Sequence, residues 1–173
     1  MRRICTLLLV TVGLFGDVVG AAGRNPDWRW LIVTDGPGAE SERGALVKAL
    51  RLLPRLPARV AVIDATEARP EVQPTLLSLD AFVTVGSPVV YIVRQNALLQ
   101  GARAGSATHT HALAVAIWHE MPHVDGADER EARQREQALW TTFVRDQRVD
   151  SVVALRYLKA LDARPDDLLT ALR

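Results

Sequence analysis

The sequence predicts an α+β fold, a small mixed β-sheet of about four strands followed by helices that fill the C-terminal half. Three observations predict it. Segments rich in β-branched and aromatic residues recur at 28–34, 59–65, 81–85 and 89–94, all within the first hundred residues. Helical spacing takes over after residue 107. A helical run at 39–53 also separates the first two strand segments, and that succession predicts a right-handed βαβ unit with parallel strands. At 173 residues the chain is long enough for one domain with a buried core.

The first stretch stands outside that domain. Arg2 and Arg3 precede an almost wholly apolar run from Ile4 to Gly16, and small residues from Gly20 to Gly23 follow. This pattern predicts a cleaved secretory signal over residues 1–22, hence a periplasmic or secreted chain with no membrane anchor after cleavage. The apolar run is short for a membrane span. The single cysteine, Cys5, falls inside the signal, so the remainder cannot build a disulfide framework. Residues 23–173 carry equal numbers of acidic and basic side chains and few aromatics. They hold no basic stripe, which argues against nucleic acid as a partner.

Taken in order, 28–34 (Trp-Arg-Trp-Leu-Ile-Val-Thr) reads as a strand that stops at the turn Asp35-Gly36-Pro37-Gly38. That turn lacks the further glycines or Gly-Lys-Ser/Thr ending of a phosphate loop. Ala45, Leu46, Ala49, Leu50 and Leu53 give the next segment helical spacing, with Ser41 as its expected cap and Pro54 and Pro57 as its end. Residues 59–65 form the second strand and 66–74, with Pro70 and Pro74, a loop. One helical turn is expected at 75–79. The strands 81–85 and 89–94 flank Gly86-Ser87-Pro88 and predict an antiparallel hairpin. An irregular connector over 95–105, with a helical turn at 97–99, leads to helices at about 108–124, 127–146 and 149–161.

Inside the first of these helices lies His119-Glu120-Met121-Pro122-His123, an H-E-x-x-H motif. Residues four apart share a helix face, so His119 and His123 can aim two imidazoles at one metal ion. Glu120 sits one step round, placed to act on water there without being a ligand. A catalytic zinc site takes three protein ligands, so another side chain must complete the set. On an unbroken helix, residue 129 would stand roughly 15 Å from His119 along the axis. Gly126 lets the chain turn, because glycine accepts positive φ cheaply.

Over about residues 82–143 these features resemble the zincins, zinc metallopeptidases built on an H-E-x-x-H helix. The resemblance implies a compact zincin-like fold, Zn2+ as cofactor and a peptide or protein substrate. It also implies that His119, His123 and an acid hold the metal while Glu120 acts as general base on zinc-bound water. The spacing H-E-x-x-H-x-x-G-x-x-E puts Glu129 where metzincin-type zincins carry their third ligand. Glu129 and Ala132 also resemble the E-x-x-A run of gluzincins. Glu136 is the runner-up ligand, on an apolar face with Ala132, Leu139, Trp140 and Phe143 where a carboxylate needs a partner. Asp128 comes third, with orienting an imidazole as its other role.

In zincins the strand before the helix often lies at the sheet edge and holds an extended peptide. Val89, Val90, Tyr91, Ile92 and Val93 would take that place and bind substrate by strand addition. Tyr157 is the candidate oxyanion donor, because C-terminal tyrosines play that part in several zincins. His109 and His111, two to three turns before His119, are expected to cap the helix or face solvent.

Two features depart from the family. Pro122 lies between the histidines, where it costs roughly 3 kcal/mol or more in a helix interior and predicts a kink that alters their aim. After Met1 the only methionine is Met121, so the methionine turn of metzincins is absent and a small gluzincin-like or unclassified zincin is implied. The resemblance thus implies an exported zinc metallopeptidase. The alternative is a non-catalytic zincin-fold module that binds peptide along 89–93 and uses metal to hold its helices together, a reading that Pro122 favours.

Overall fold

The structure, a computed structural model, describes residues 26–162. The expected signal at 1–22 lies outside them. Four short strands form one mixed sheet, β1 (Ile32–Val33), β2 (Arg59–Ile63), β3 (Ala81–Val83) and β4 (Val89–Val93), in the order β1-β2-β4-β3. β1, β2 and β4 are parallel, and β3 runs antiparallel to β4 as the hairpin predicts. Seven α-helices accompany them among the described residues: α1 (Trp28–Leu31), α2 (Ala39–Leu50), α3 (Gln73–Ser78), α4 (Ala97–Arg103), α5 (Ala107–Val124), α6 (Glu129–Arg145) and α7 (Ser151–Asp162). The fold is α+β. No helix among the described residues is long and apolar enough to cross a membrane.

Strand alternation divides the core. Val60 and Val62 of β2 and Val90 and Ile92 of β4 point to one face, where they pack with Leu46 and Leu50 of α2, Leu99 of α4 and Leu113 and Ile117 of α5. Tyr91 and Val93 point to the other face and meet Ala65, Leu76, Leu79 and Phe82. α5 is buried almost all round between Ala112 and Ile117, since its far side meets Leu139, Trp140 and Phe143 of α6. A helix apolar on every side belongs in the middle of a fold. That central place fixes the H-E-x-x-H turn between the sheet layer and α6.

Several boundaries differ from the sequence reading, each for a local reason. Residues 28–31 coil into a helical turn because the Asp27 carboxylate accepts a hydrogen bond from Arg29 N, leaving only Ile32 and Val33 as strand. Ser41 does not cap α2. The helix begins after Gly38 at φ 93°, and the Ser41 hydroxyl accepts instead from Arg103 Nε at 2.8 Å. α2 gives way after Leu50 to a tighter turn, in which Leu52 N and Leu53 N donate three residues back.

The irregular connector is α4, seven residues capped by Asn96, whose side chain accepts from Leu98 N at 2.7 Å. Gly101 sits inside α4, where the His109 ring lies in the place a Cβ would take, so a larger residue does not fit. His109 Nδ1 meets Ser106 Oγ at 2.8 Å and His111 Nδ1 meets the Ala107 carbonyl at 2.7 Å, so both engage the start of α5.

Charged residues close the carboxyl ends of the parallel strands. Arg94, just after β4, donates to Glu42 at 2.9 Å, to Asp64 at 3.2 Å and to the Asp35 carbonyl at 2.8 Å. Glu42 is fully buried on α2 and also accepts from Thr34. This network ties β1, β2, β4 and α2 together.

Candidate metal centre

Three side chains from two helices converge on one point. His119 and His123 stand one turn apart on α5, with ring centroids 5.3 Å apart. Glu129, the first residue of α6, faces both: its Oε2 lies 3.5 Å from His119 Nε2 and 3.3 Å from His123 Nε2. One donor atom from each residue falls within 4.8 Å of the others. Tetrahedral coordination with bonds of about 2.0–2.1 Å separates neighbouring ligand atoms by about 3.3 Å, and the two distances to Glu129 match that spacing.

The pairings of these atoms point to a cation. His123 Nε2 and Glu129 Oε2 are buried, and neither has a hydrogen-bond partner. They are close but misaligned for a hydrogen bond with each other, an arrangement that leaves buried polar atoms unsatisfied unless a cation lies between them. Both rings are also held from behind. His119 Nδ1 meets Glu136 Oε2 at 2.9 Å, and His123 Nδ1 meets the Ala127 carbonyl at 3.0 Å. When Nδ1 donates, the Nε2 lone pair is free for the site, as metal-binding histidines require.

Gly126 makes the convergence possible. α5 ends in a turn where Gly126 takes φ 85° and Ala127 N donates back to the Pro122 carbonyl at 3.0 Å. The reversal brings α6 alongside α5 and swings the Ala127 carbonyl onto His123. Asp128 caps α6, accepting from Glu131 N at 2.8 Å, so it is the cap and not a ligand. Pro122 does not splay the rings. It is buried within a continuous α5, and its carbonyl serves the closing turn.

Charge in the site follows from burial and pairing. Burial disfavours the His119 imidazolium, but the Glu129 and Glu136 carboxylates outweigh it and hold the ring up to about 10. Glu129 likewise raises His123 against its own burial. The two imidazoles hold the Glu129 carboxyl well below the usual carboxylate range. Glu120 is buried, which pushes it up to about 7 against the pull of the two histidines. A carboxylate poised near neutrality suits proton transfer.

Of the expected site residues, His119, His123 and Glu129 come together in a group that could hold a metal ion, and Glu120 lies buried next to His119 in sequence. Glu136 is not a third ligand in this geometry; its oxygen is taken up with His119 Nδ1. The expected peptide strand at 89–93 is corrected outright. β4 is internal, paired with β2 along its whole length and with β3 at Val90, Tyr91 and Ile92, so its backbone cannot receive another strand. Tyr91 stacks on Phe82 at 5.2 Å. Tyr157 places its ring 4.8 Å from Trp140 in the cluster between α5, α6 and α7.

Sequence reading missed the Ala127 carbonyl, which carries no side-chain signal, and Arg133, whose Nε donates to Glu129 Oε1 at 2.8 Å. The i,i+4 spacing of Glu129 and Arg133 was the available clue. Comparison with protein families, curated proteins and solved structures finds no match to this chain.

Proposed function

We propose that the chain is an exported zinc-dependent peptidase of zincin-like construction. The observation that carries this reading is the meeting of buried, unpartnered His123 Nε2 and Glu129 Oε2 with His119 Nε2, the carboxylate oxygen standing at tetrahedral spacing from both nitrogens, one residue from a buried carboxylate. The donor set of two imidazoles and a carboxylate fits zinc and leaves one position open. Zinc held there supplies Lewis-acid chemistry, making water nucleophilic at neutral pH and polarising a peptide carbonyl.

The chain's own residues supply the rest. Glu129 and the two Nε2 atoms would hold the ion, while Glu136 and the Ala127 carbonyl orient the rings. The Glu120 carboxylate accepts the proton lost by the attacking water and returns it to the leaving amine nitrogen. β3 is the sheet edge that packs against α5, and an extended substrate would pair there in place of β4.

A second reading is a binding module in which metal only joins helices. It is favoured by the ligands coming from both α5 and α6, so that an ion bridges the two. Zinc content of the purified chain and a broad peptide-cleavage screen separate the readings. The peptidase reading expects Glu120→Gln to keep zinc and lose at least ~100-fold in hydrolysis. Zinc bound with no turnover by the unmutated chain would leave the module.

A further inference from the structure

Glu129, Arg133 and Glu136 recur at i, i+4 and i+7, one stripe of α6. Glu136 holds His119, and Glu129 faces both histidines. Arg133 stands between them in sequence, half-buried, with Nε on Glu129 Oε1 at 2.8 Å. The two oxygens of Glu129 are therefore divided. Oε1 is held by a guanidinium, while Oε2 is buried, has no hydrogen-bond partner and points to the imidazoles.

A glutamate can bind a metal through one oxygen or both. Two-oxygen binding here would require Oε1 to leave Arg133. An Arg–Glu pair at i,i+4 is ordinary on a helix surface. This one differs because its other oxygen is the buried, unsatisfied atom of the site.

We propose that Arg133 is a positioning residue that clamps Glu129 for coordination through Oε2 alone, keeping the site four-coordinate with one position free. The inference rests on reading His119, His123 and Glu129 as a metal centre. Arg133 acts on it in two opposed ways. Its hydrogen bond orients the ligand, while its positive charge disfavours a neighbouring cation. Removing it therefore alters coordination number more than affinity.

Cobalt(II) tests this without relying on activity, because its visible absorption is most intense in four-coordinate sites and falls as a fifth and sixth ligand are added. The full chain, Arg133→Met and Arg133→Lys are each titrated with Co2+ alone, with far-ultraviolet circular dichroism verifying the fold. The unmutated chain is expected to give the intense spectrum. Arg133→Met should bind cobalt with at least about twofold lower absorption per ion. Arg133→Lys, which keeps a cationic donor near Oε1, should restore most of it.

Loss of cobalt binding by folded Arg133→Met overturns the clamp, which changes coordination number more than affinity. Identical spectra for the unmutated chain and Arg133→Met overturn the clamp alone. No cobalt uptake by the unmutated chain overturns both the clamp and the metal centre.

Discussion

Each imidazole of the pair is held at Nδ1 and turns its Nε2 toward Glu129, and this sets the pH behaviour. Without metal, the carboxylates of Glu129 and Glu136 keep His119 protonated up to about 10 and Glu129 raises His123 in the same direction. A metal ion must displace those protons, so zinc affinity is expected to rise with pH, with roughly one to two protons released per ion at neutrality. Calorimetry in buffers of different ionisation enthalpy counts them; an affinity flat with pH would contradict the ligand set.

Stability of the metal-free chain changes in the opposite sense. The folded value of His119 lies above its ordinary 6.5, so its contribution is complete below that pH and lost as pH rises through about 10. Glu129 is lowered, so its contribution is present above 4.5 and lost as pH falls. The metal-free melting temperature should accordingly fall between neutrality and about pH 10.

Helix pairs, rather than the sheet, aim these residues. α5 is clamped by α4 on one side and α6 on the other. The α4 contact depends on Gly101, where the His109 ring occupies the space of a side chain. Alanine there gains helix propensity of about 1 kcal/mol but collides with ring atoms that cannot swing aside without leaving Ser106. Gly101→Ala is expected to destabilise the fold by about 1–3 kcal/mol, read from denaturant unfolding. A variant as stable as the original would mean that α4 and α5 are not in close contact.

At the scale of the whole molecule, an ion held between α5 and α6 would couple binding to folding. Chelation should therefore lower the melting temperature. At metal about 100-fold above its dissociation constant the loss corresponds to about 2.7 kcal/mol. Glu129→Gln should melt at or below the chelated value, having lost its pairing with the imidazoles, and respond little to added zinc. A chelation effect undiminished in that variant would place the ion elsewhere.

Helical and strand periodicity, the hairpin at 86–88 and the His-Glu-x-x-His spacing belong to the sequence, because each depends on neighbours within a few residues. So does the reversal at Gly126, since one positive-φ glycine is enough to turn a helix, whereas Glu129 is picked out over Asp128 and Glu136 only by the zincin resemblance. Strand order is different. Residues 89–93 read as a strand wherever they lie in the sheet, and only long-range pairing put β4 between β2 and β3 and left β3 at the edge. Pro122 is similar: its local cost is fixed by its ring, but whether the helix kinks was decided by burial in the core and by the turn that uses its carbonyl. The division of Glu129's oxygens, one to Arg133 and one to the histidines, likewise arises only when α6 is folded back on α5.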